Sequence, residues 1–126
     1  MAKILLIDDS KEFREQMGKN IEEAGHEVIL ADCGEDGLAK AKENTDVDLI
    51  LTDYVMPDFD GLELTKQINQ IEALSKTPIL MVTEASHGVS KDVAKKAGLI
   101  SYVSKSSHND HFVDLINKIL VKTKSA

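Results

Sequence analysis

Three aspartates in the sequence follow short apolar runs, and carboxylates placed in this way suit a hard metal ion. Asp8 and Asp9 come directly after the apolar residues 4–7, and Asp53 comes two positions after the apolar residues 49–51. Carboxylates that lie close together raise one another's pKa values unless a cation compensates their repulsion. Oxygen ligands at an open site suit Mg²⁺, or Mn²⁺ in its place, because these ions accept carboxylates together with phosphate oxygens.

Two further polar residues near the ends of apolar runs have groups that can bind a phosphoryl group. Thr83 can donate a hydroxyl hydrogen bond, and Lys105 is a compact positive charge. A carboxylate such as Asp53 can act as the nucleophile, while Mg²⁺ and a lysine neutralise the phosphoryl oxygens. The set predicts phosphoryl transfer onto Asp53 from a donor of high energy, since the acyl phosphate formed is itself reactive.

The apolar pattern predicts the elements that must position these residues. Continuous apolar runs are typical of strands buried on both faces, and apolar residues three or four positions apart are typical of amphipathic helices. Five predicted strands alternate with five helices, which implies a parallel sheet with helices on both faces. The strands are predicted at residues 4–7, 28–31, 49–51, 78–82 and 100–103, and the helices around residues 10–24, 34–41, 60–71, 89–97 and 112–119.

Single residues mark the expected ends of several helices. Ser10 can cap the first helix, and Asp60 can open the third as part of a capping box. Gly25 and Gly98 are expected to close the first and fourth helices in the left-handed conformation. Val89, Val93 and Ala97 are expected to mark the fourth helix. Ligands of such sheets bind at the carboxyl ends of the strands, where the polar residues named above are predicted to lie.

The size and composition of the chain fit one domain without a membrane segment. We expect residues 1–126 to form a single domain, since no linker or repeat is visible. The formal net charge of −7 argues against direct binding of nucleic acid. No apolar run approaches the roughly 20 residues that would insert across a membrane. Cys33 is the only cysteine, which favours a reducing compartment, and we expect a cytoplasmic protein.

The order of these residues resembles the receiver domain of two-component response regulators, of the stand-alone type found in chemotaxis and phosphorelay proteins. The acidic pair at residues 8–9 resembles the metal-binding pair of that family. Residues 53–61, Asp-Tyr-Val-Met-Pro-Asp-Phe-Asp-Gly, resemble its phosphoacceptor segment. Thr83 resembles the switch hydroxyl, Tyr102 the switch aromatic residue and Lys105 the invariant lysine. The resemblance covers nearly the whole chain.

The resemblance implies a flavodoxin-like, doubly wound sheet with strand order 2-1-3-4-5 and a phosphorylation-dependent switch, not a conventional multiple-turnover enzyme. Asp53 would accept a phosphoryl group from a phosphohistidine on a sensor histidine kinase or a histidine phosphotransfer protein. The metal would be held by Asp9, Asp53 and the backbone carbonyl of Val55, with Asp8 beside it.

The resemblance also implies how the signal leaves the molecule. Phosphorylation would draw Thr83 toward the phosphoryl group and let Tyr102 turn inward. The surface formed by the fourth helix, the fifth strand and the last helix would then change, and a downstream protein would dock there. We expect the protein to act as a monomer.

Three positions depart from the family's usual pattern, one in the loop after Lys105 and two near the predicted site. Ser106 follows Lys105, where family members usually carry a proline after a cis bond. A cis bond before a residue other than proline costs about 3–4 kcal/mol, so the isomer is left open. Val55 and Ala85 are apolar where family members often carry polar groups that influence the attacking water, which predicts a long-lived phosphorylated state.

Three other functions have to be weighed against the switch. A nucleotide- or flavin-binding domain would need a glycine-, serine- or threonine-rich phosphate loop, which the Asp-Asp-Ser segment after the first strand does not provide. A haloacid-dehalogenase-type phosphatase would place its nucleophile after the first strand, with a second aspartate two residues on, but Ser10 and Lys11 stand there. The remaining alternative is a degenerate receiver that binds partners without phosphorylation.

Overall fold

The computed structural model describes residues 2–83, 90–104 and 109–124. Within these ranges, none of the helices has the length and apolar character that crossing a membrane requires.

The described residues contain one element that was not predicted, a 3₁₀ turn at Glu72–Leu74. The strands are β1 Lys3–Ile7, β2 Glu27–Ala31, β3 Leu49–Thr52, β4 Ile79–Thr83 and β5 Ser101–Ser104, and the helices are α1 Lys11–Glu23, α2 Gly34–Glu43, α3 Gly61–Asn69, α4 Lys91–Ala97 and α5 Asn109–Lys124.

All five strands are parallel and lie in the order β2-β1-β3-β4-β5, which confirms the predicted fold class. The register sets the ends of the strands side by side. Ile7 pairs with Ala31 on one side and with Thr52 on the other. Asp8 and Asp53 therefore leave the sheet as neighbours, one residue beyond this row.

Alternate strand residues pack into two core layers, one on each face of the sheet. Leu5 and Ile7 face the layer that includes buried residues of α2, α3 and α4. Ile4 and Leu6 face the layer that includes buried residues of α1 and α5. Full burial of such a side chain stabilises the fold by about 1.5–3 kcal/mol. These layers therefore hold the strand ends, and the polar residues that follow them, in fixed positions.

The predicted helix ends are largely confirmed. Ser10 and Asp60 each accept an amide hydrogen bond from the residue three positions on, at 3.2 and 2.8 Å. Gly25 and Gly98 have φ angles of 93° and 104°, in the left-handed region that glycine tolerates best.

Val93 lies in α4 as predicted, but its side chain is 47% exposed. The reason is that α4 spans only two turns and buries a narrow strip of small residues, Ala94 and Ala97. An apolar residue next to such a strip satisfies the helical period without reaching the core. Val89, predicted near the start of this helix, lies outside the described residues.

Candidate functional site

Asp8 is held at the end of β1 by contacts on its backbone and its side chain. Its side chain is 1% exposed, and its Oδ1 accepts a hydrogen bond from the Ser10 amide at 2.8 Å. Its own amide donates to the carbonyl of Ala31 at 3.0 Å. Nη1 of Arg14 donates to the carbonyl of Asp8 at 2.7 Å. Asp9, the next residue, is exposed, so the acidic pair has one buried and one open carboxylate.

Asp53 is held in a similar way after β3. It is 7% exposed, and its amide donates to the carbonyl of Ile7 at 3.0 Å. Its Oδ1 accepts a hydrogen bond from the Tyr54 amide at 2.7 Å. The hydroxyl of Thr52 donates to the Asp53 carbonyl at 3.0 Å. A Cβ atom added at Gly61 would collide with the same carbonyl, so only glycine fits the start of α3 here.

The carboxylates of Asp8, Asp9 and Asp53 form one cluster, in which an oxygen of each lies within 4.8 Å of an oxygen of the others. Two charges at such a distance repel by on the order of 3 kcal/mol at an effective dielectric constant of about 20. A donor set made only of oxygens, with one open member, fits Mg²⁺ in type and in access. The cluster therefore fits the metal predicted from the sequence.

The other predicted site residues lie after β3, on β4, on β5 or outside the described part of the chain. Val55 follows Asp53 by two residues in the irregular segment before α3, and its side chain is 54% exposed. Thr83 is buried at the end of β4, the neighbour of β3. Tyr102 lies half-buried in β5, opposite Met81, and packs against the core. Residues 105–106 and Ala85 lie outside the described residues, so the Lys105 position and the following peptide bond remain predictions.

Asp58 is a residue of this region that the sequence reasoning missed. Desolvation raises its pKa, but hydrogen bonds from the backbone amides of Glu35, Phe59 and Gly34 outweigh this effect and lower the pKa to about 2. Nothing in the sequence marked Asp58 as a helix cap, because the helix whose first amides it binds precedes it in the chain. Two of its partners, Glu35 and Gly34, lie 23 and 24 positions away in the chain, and only the folded structure brings them to Asp58.

Comparison with known proteins defines the class of this protein. Residues 4–117 match the response regulator receiver domain, and the chain belongs to this family. The family consists of signalling switches of two-component systems that bind Mg²⁺ at an acidic pocket and interact with histidine kinases or phosphotransfer proteins and with downstream targets.

Relatives that include PilH and CheY proteins are stand-alone, chemotaxis-type receivers, the type that the sequence resembles. The chain is 32% identical to Protein PilH of Pseudomonas aeruginosa over 120 residues, which covers 95% of this chain and 98% of PilH. The structure of chemotaxis protein CheY4 of Vibrio cholerae superimposes with a TM-score of 0.88 at 30% identity, covering 94% of this chain and 98% of that one. The response regulator TrrA of Thermotoga maritima, in complex with Mg²⁺-BeF, gives a TM-score of 0.84 at 30% identity, with 94% and 99% coverage.

Proposed function

We propose that this receiver domain is a phosphorylation-dependent switch in which Asp53 accepts a phosphoryl group from a phosphohistidine of a sensor kinase or phosphotransfer protein. The observation that carries the proposal is the position of Asp53, buried beside Asp8 and Asp9 with carboxylate oxygens of all three within 4.8 Å. A receiver that acts without phosphorylation would have no need of this costly arrangement, and no observation favours that alternative.

In this proposal Asp8, Asp9, Asp53 and the carbonyl of Val55 hold the metal. When bound, Mg²⁺ supplies positive charge that neutralises the carboxylates and the phosphoryl oxygens. The two buried aspartates keep their orientation through amide hydrogen bonds, from Ser10 to Asp8 and from Tyr54 to Asp53. The exposed Asp9 leaves one side of the cluster open to a phosphoryl donor.

The chemical step exchanges one bond to phosphorus for another. A carboxylate oxygen of Asp53 forms a bond to the phosphorus, and the bond between phosphorus and the donor's imidazole nitrogen breaks. The imidazole leaves with the electron pair of that bond and takes up a proton. Thr83 and Lys105 are proposed to bind the phosphoryl oxygens, the former through its hydroxyl and the latter through its ammonium group.

The switch itself is proposed to act through Thr83 and Tyr102 on the surface of α4, β5 and α5, where a downstream protein would dock. Tyr102 lines a cavity of about 500 Å³ between α4 and β5, together with Ala94, Lys95, Leu99, Ile100 and Ser101. This space would let the side chain change its position. Output through protein contact agrees with a monomeric single domain that acts in the cytoplasm and does not bind nucleic acid itself.

Intact-mass spectrometry after incubation with acetyl phosphate and Mg²⁺ tests the proposal. The wild type should gain one phosphoryl group, Asp53→Asn should gain none, and chelation of the metal should abolish the gain. Asp46→Asn is the matched control, because Asp46 is an exposed aspartate that contacts only Lys3 among the described residues. A wild type that gains no phosphoryl group would favour the degenerate receiver instead.

A further inference from the structure

Asp58 joins the segment after Asp53 to a helix that precedes it in the chain. Its Oδ1 accepts hydrogen bonds from the amides of Gly34 at 3.0 Å and Phe59 at 2.8 Å, and its Oδ2 accepts one from the amide of Glu35 at 2.7 Å. Gly34 and Glu35 are the first two residues of α2. Amides at a helix start have no partner within the helix, and a carboxylate there also interacts favourably with the helix dipole.

The local cap of α2 is too weak to replace Asp58. Cys33 stands at the N-cap, and its Sγ accepts from the Asp36 amide at 3.4 Å. This amide lowers the pKa of the Cys33 thiol, but burial and the carboxylates of Asp32 and Asp58 raise it above its ordinary value. The group therefore remains a neutral thiol, which is a weak acceptor. Most of the capping of α2 comes from a residue on another segment.

Close packing reinforces this link. A Cβ atom on Gly34 would lie 2.7 Å from the ring of Phe59, the residue after Asp58. A Cβ atom on Gly37, one turn further along α2, would lie 2.7 Å from Ile7, the residue before Asp8. The start of α2 thus touches both segments that carry the carboxylate cluster.

The segment between Asp53 and α3 has few other attachments. Its ends are held by the bond from the Asp53 amide to Ile7 and by the bond from the Gly61 amide to the Tyr54 carbonyl at 2.8 Å. Residues 55–57 make no hydrogen bond to any residue that the structure describes. Met56 is held by packing in the core, so the next attachment by hydrogen bonds after Val55 is Asp58, three residues on.

We propose that Asp58 is a positioning residue, which fixes the segment 54–60 on the start of α2 and so holds the Val55 carbonyl in place for the metal. The inference rests on the proposed function, in which this carbonyl is a ligand. Residues that orient metal ligands typically change metal affinity by 10- to 100-fold when they are replaced. Because coupling between sites is reciprocal, Mg²⁺ should in turn strengthen the contact between Asp58 and α2.

Isothermal titration calorimetry with Mg²⁺ measures the first effect. Asp58→Ala should bind Mg²⁺ about 10-fold more weakly than the wild type. Asp58→Asn, which keeps one acceptor oxygen, should lie between them. Glu35→Gln is the control for charge, since it removes one exposed carboxylate at the same helix start and leaves the backbone amides intact. At saturating Mg²⁺, phosphorylation of Asp58→Ala by acetyl phosphate should return to the wild-type rate, as a role in positioning alone requires.

Hydrogen exchange on the wild type tests the reciprocal effect without any substitution that could disturb folding. Mg²⁺ should slow exchange of the Gly34 and Glu35 amides, and this slowing should be smaller in Asp58→Asn and absent in Asp58→Ala. Wild-type Mg²⁺ affinity in Asp58→Ala, or α2 amides in the wild type that do not respond to Mg²⁺, would overturn the inference while the proposed function stands. A wild type that binds no Mg²⁺ would overturn both.

Discussion

The two regions that the proposed switch would connect are built in opposite ways. The acceptor edge, which comprises Asp8, Asp9, Asp53 and the segment 54–60, has two buried carboxylates fixed by backbone amides and a segment tied to two helices. The response face, which comprises α4 and β5, has a two-turn helix, a strand with no fully buried residue and a cavity between them. In the proposed switch, the chemistry would thus lie where the structure is most tightly held, and the output where neighbouring groups have more space.

This contrast follows from the position of each element in the sheet. β3 lies inside the sheet and is buried along its whole length, whereas β5 is an edge strand. A residue after β3 is fixed by strands on both sides. A residue on β5 is supported by β4 alone. The same fold therefore gives the proposed acceptor support from both sides and the proposed response face support from one side only.

Gly61→Ala should break the acceptor edge most severely. The added methyl group would collide with the Asp53 carbonyl, and overpacking of this kind costs about 1–3 kcal/mol of folding free energy. The rate of phosphorylation by acetyl phosphate should also fall, because the collision would displace the backbone of Asp53.

Gly18→Ala, in the middle of α1, is the control for urea unfolding of this variant. Its added methyl group would meet Leu30 at an ordinary 3.4 Å, and alanine is the better helix former by about 1 kcal/mol. Equal stability of the two variants would contradict the close approach of α3 to Asp53.

Acid should weaken the attachment of the acceptor edge to α2. The pKa of Asp58 is about 2 in the folded protein against an ordinary value of 3.8. A lowered folded-state pKa means that the contribution of Asp58 to stability is complete above the unfolded value and is lost as pH falls from about 4 to 2. The difference in unfolding free energy between the wild type and Asp58→Asn should therefore shrink across this window, as measured by urea denaturation. A constant difference between pH 5 and pH 2 would remove the role assigned to the charge.

The smallest effect is expected on the response face. Val93→Thr should change the free energy of unfolding by no more than about 0.5 kcal/mol, because the side chain is already largely in water. Val82→Thr is the matched substitution in the interior of the sheet, where a buried hydroxyl without a partner costs about 1–3 kcal/mol. Urea denaturation compares the two. Similar losses would show that α4 is packed as tightly as β4, against the contrast drawn above.

The positions of the three clustered carboxylates were predictable because they depend on short-range patterns in the sequence. Apolar runs mark the strands, and in a parallel sheet the residues that follow them meet at one edge, so Asp8, Asp9 and Asp53 could be placed together. The helix starts at Ser10 and Asp60 were predictable because each cap lies three residues from its partner.

The supporting contacts could not be predicted in the same way. Asp58 binds amides 23 and 24 positions away, and Arg14 binds a backbone carbonyl, so neither partner has a side-chain signature in the sequence. The exposure of Val93 could not be predicted, because periodicity shows which residues share a helix face but not how wide the buried strip is. The order of the strands depended on the resemblance to a family, since alternation alone fixes only their direction.

Reduction of the phosphorylated protein with borohydride tests the central claim most directly. Borohydride converts an aspartyl phosphate into homoserine, so peptide mass spectrometry can locate the acceptor. After treatment with acetyl phosphate and Mg²⁺, homoserine should appear at position 53 and at no other aspartate, and its amount should fall when Mg²⁺ is removed. Homoserine at Asp8 or Asp9 in place of Asp53, or its absence from a protein that has gained a phosphoryl group, would contradict the assignment of Asp53 as the acceptor.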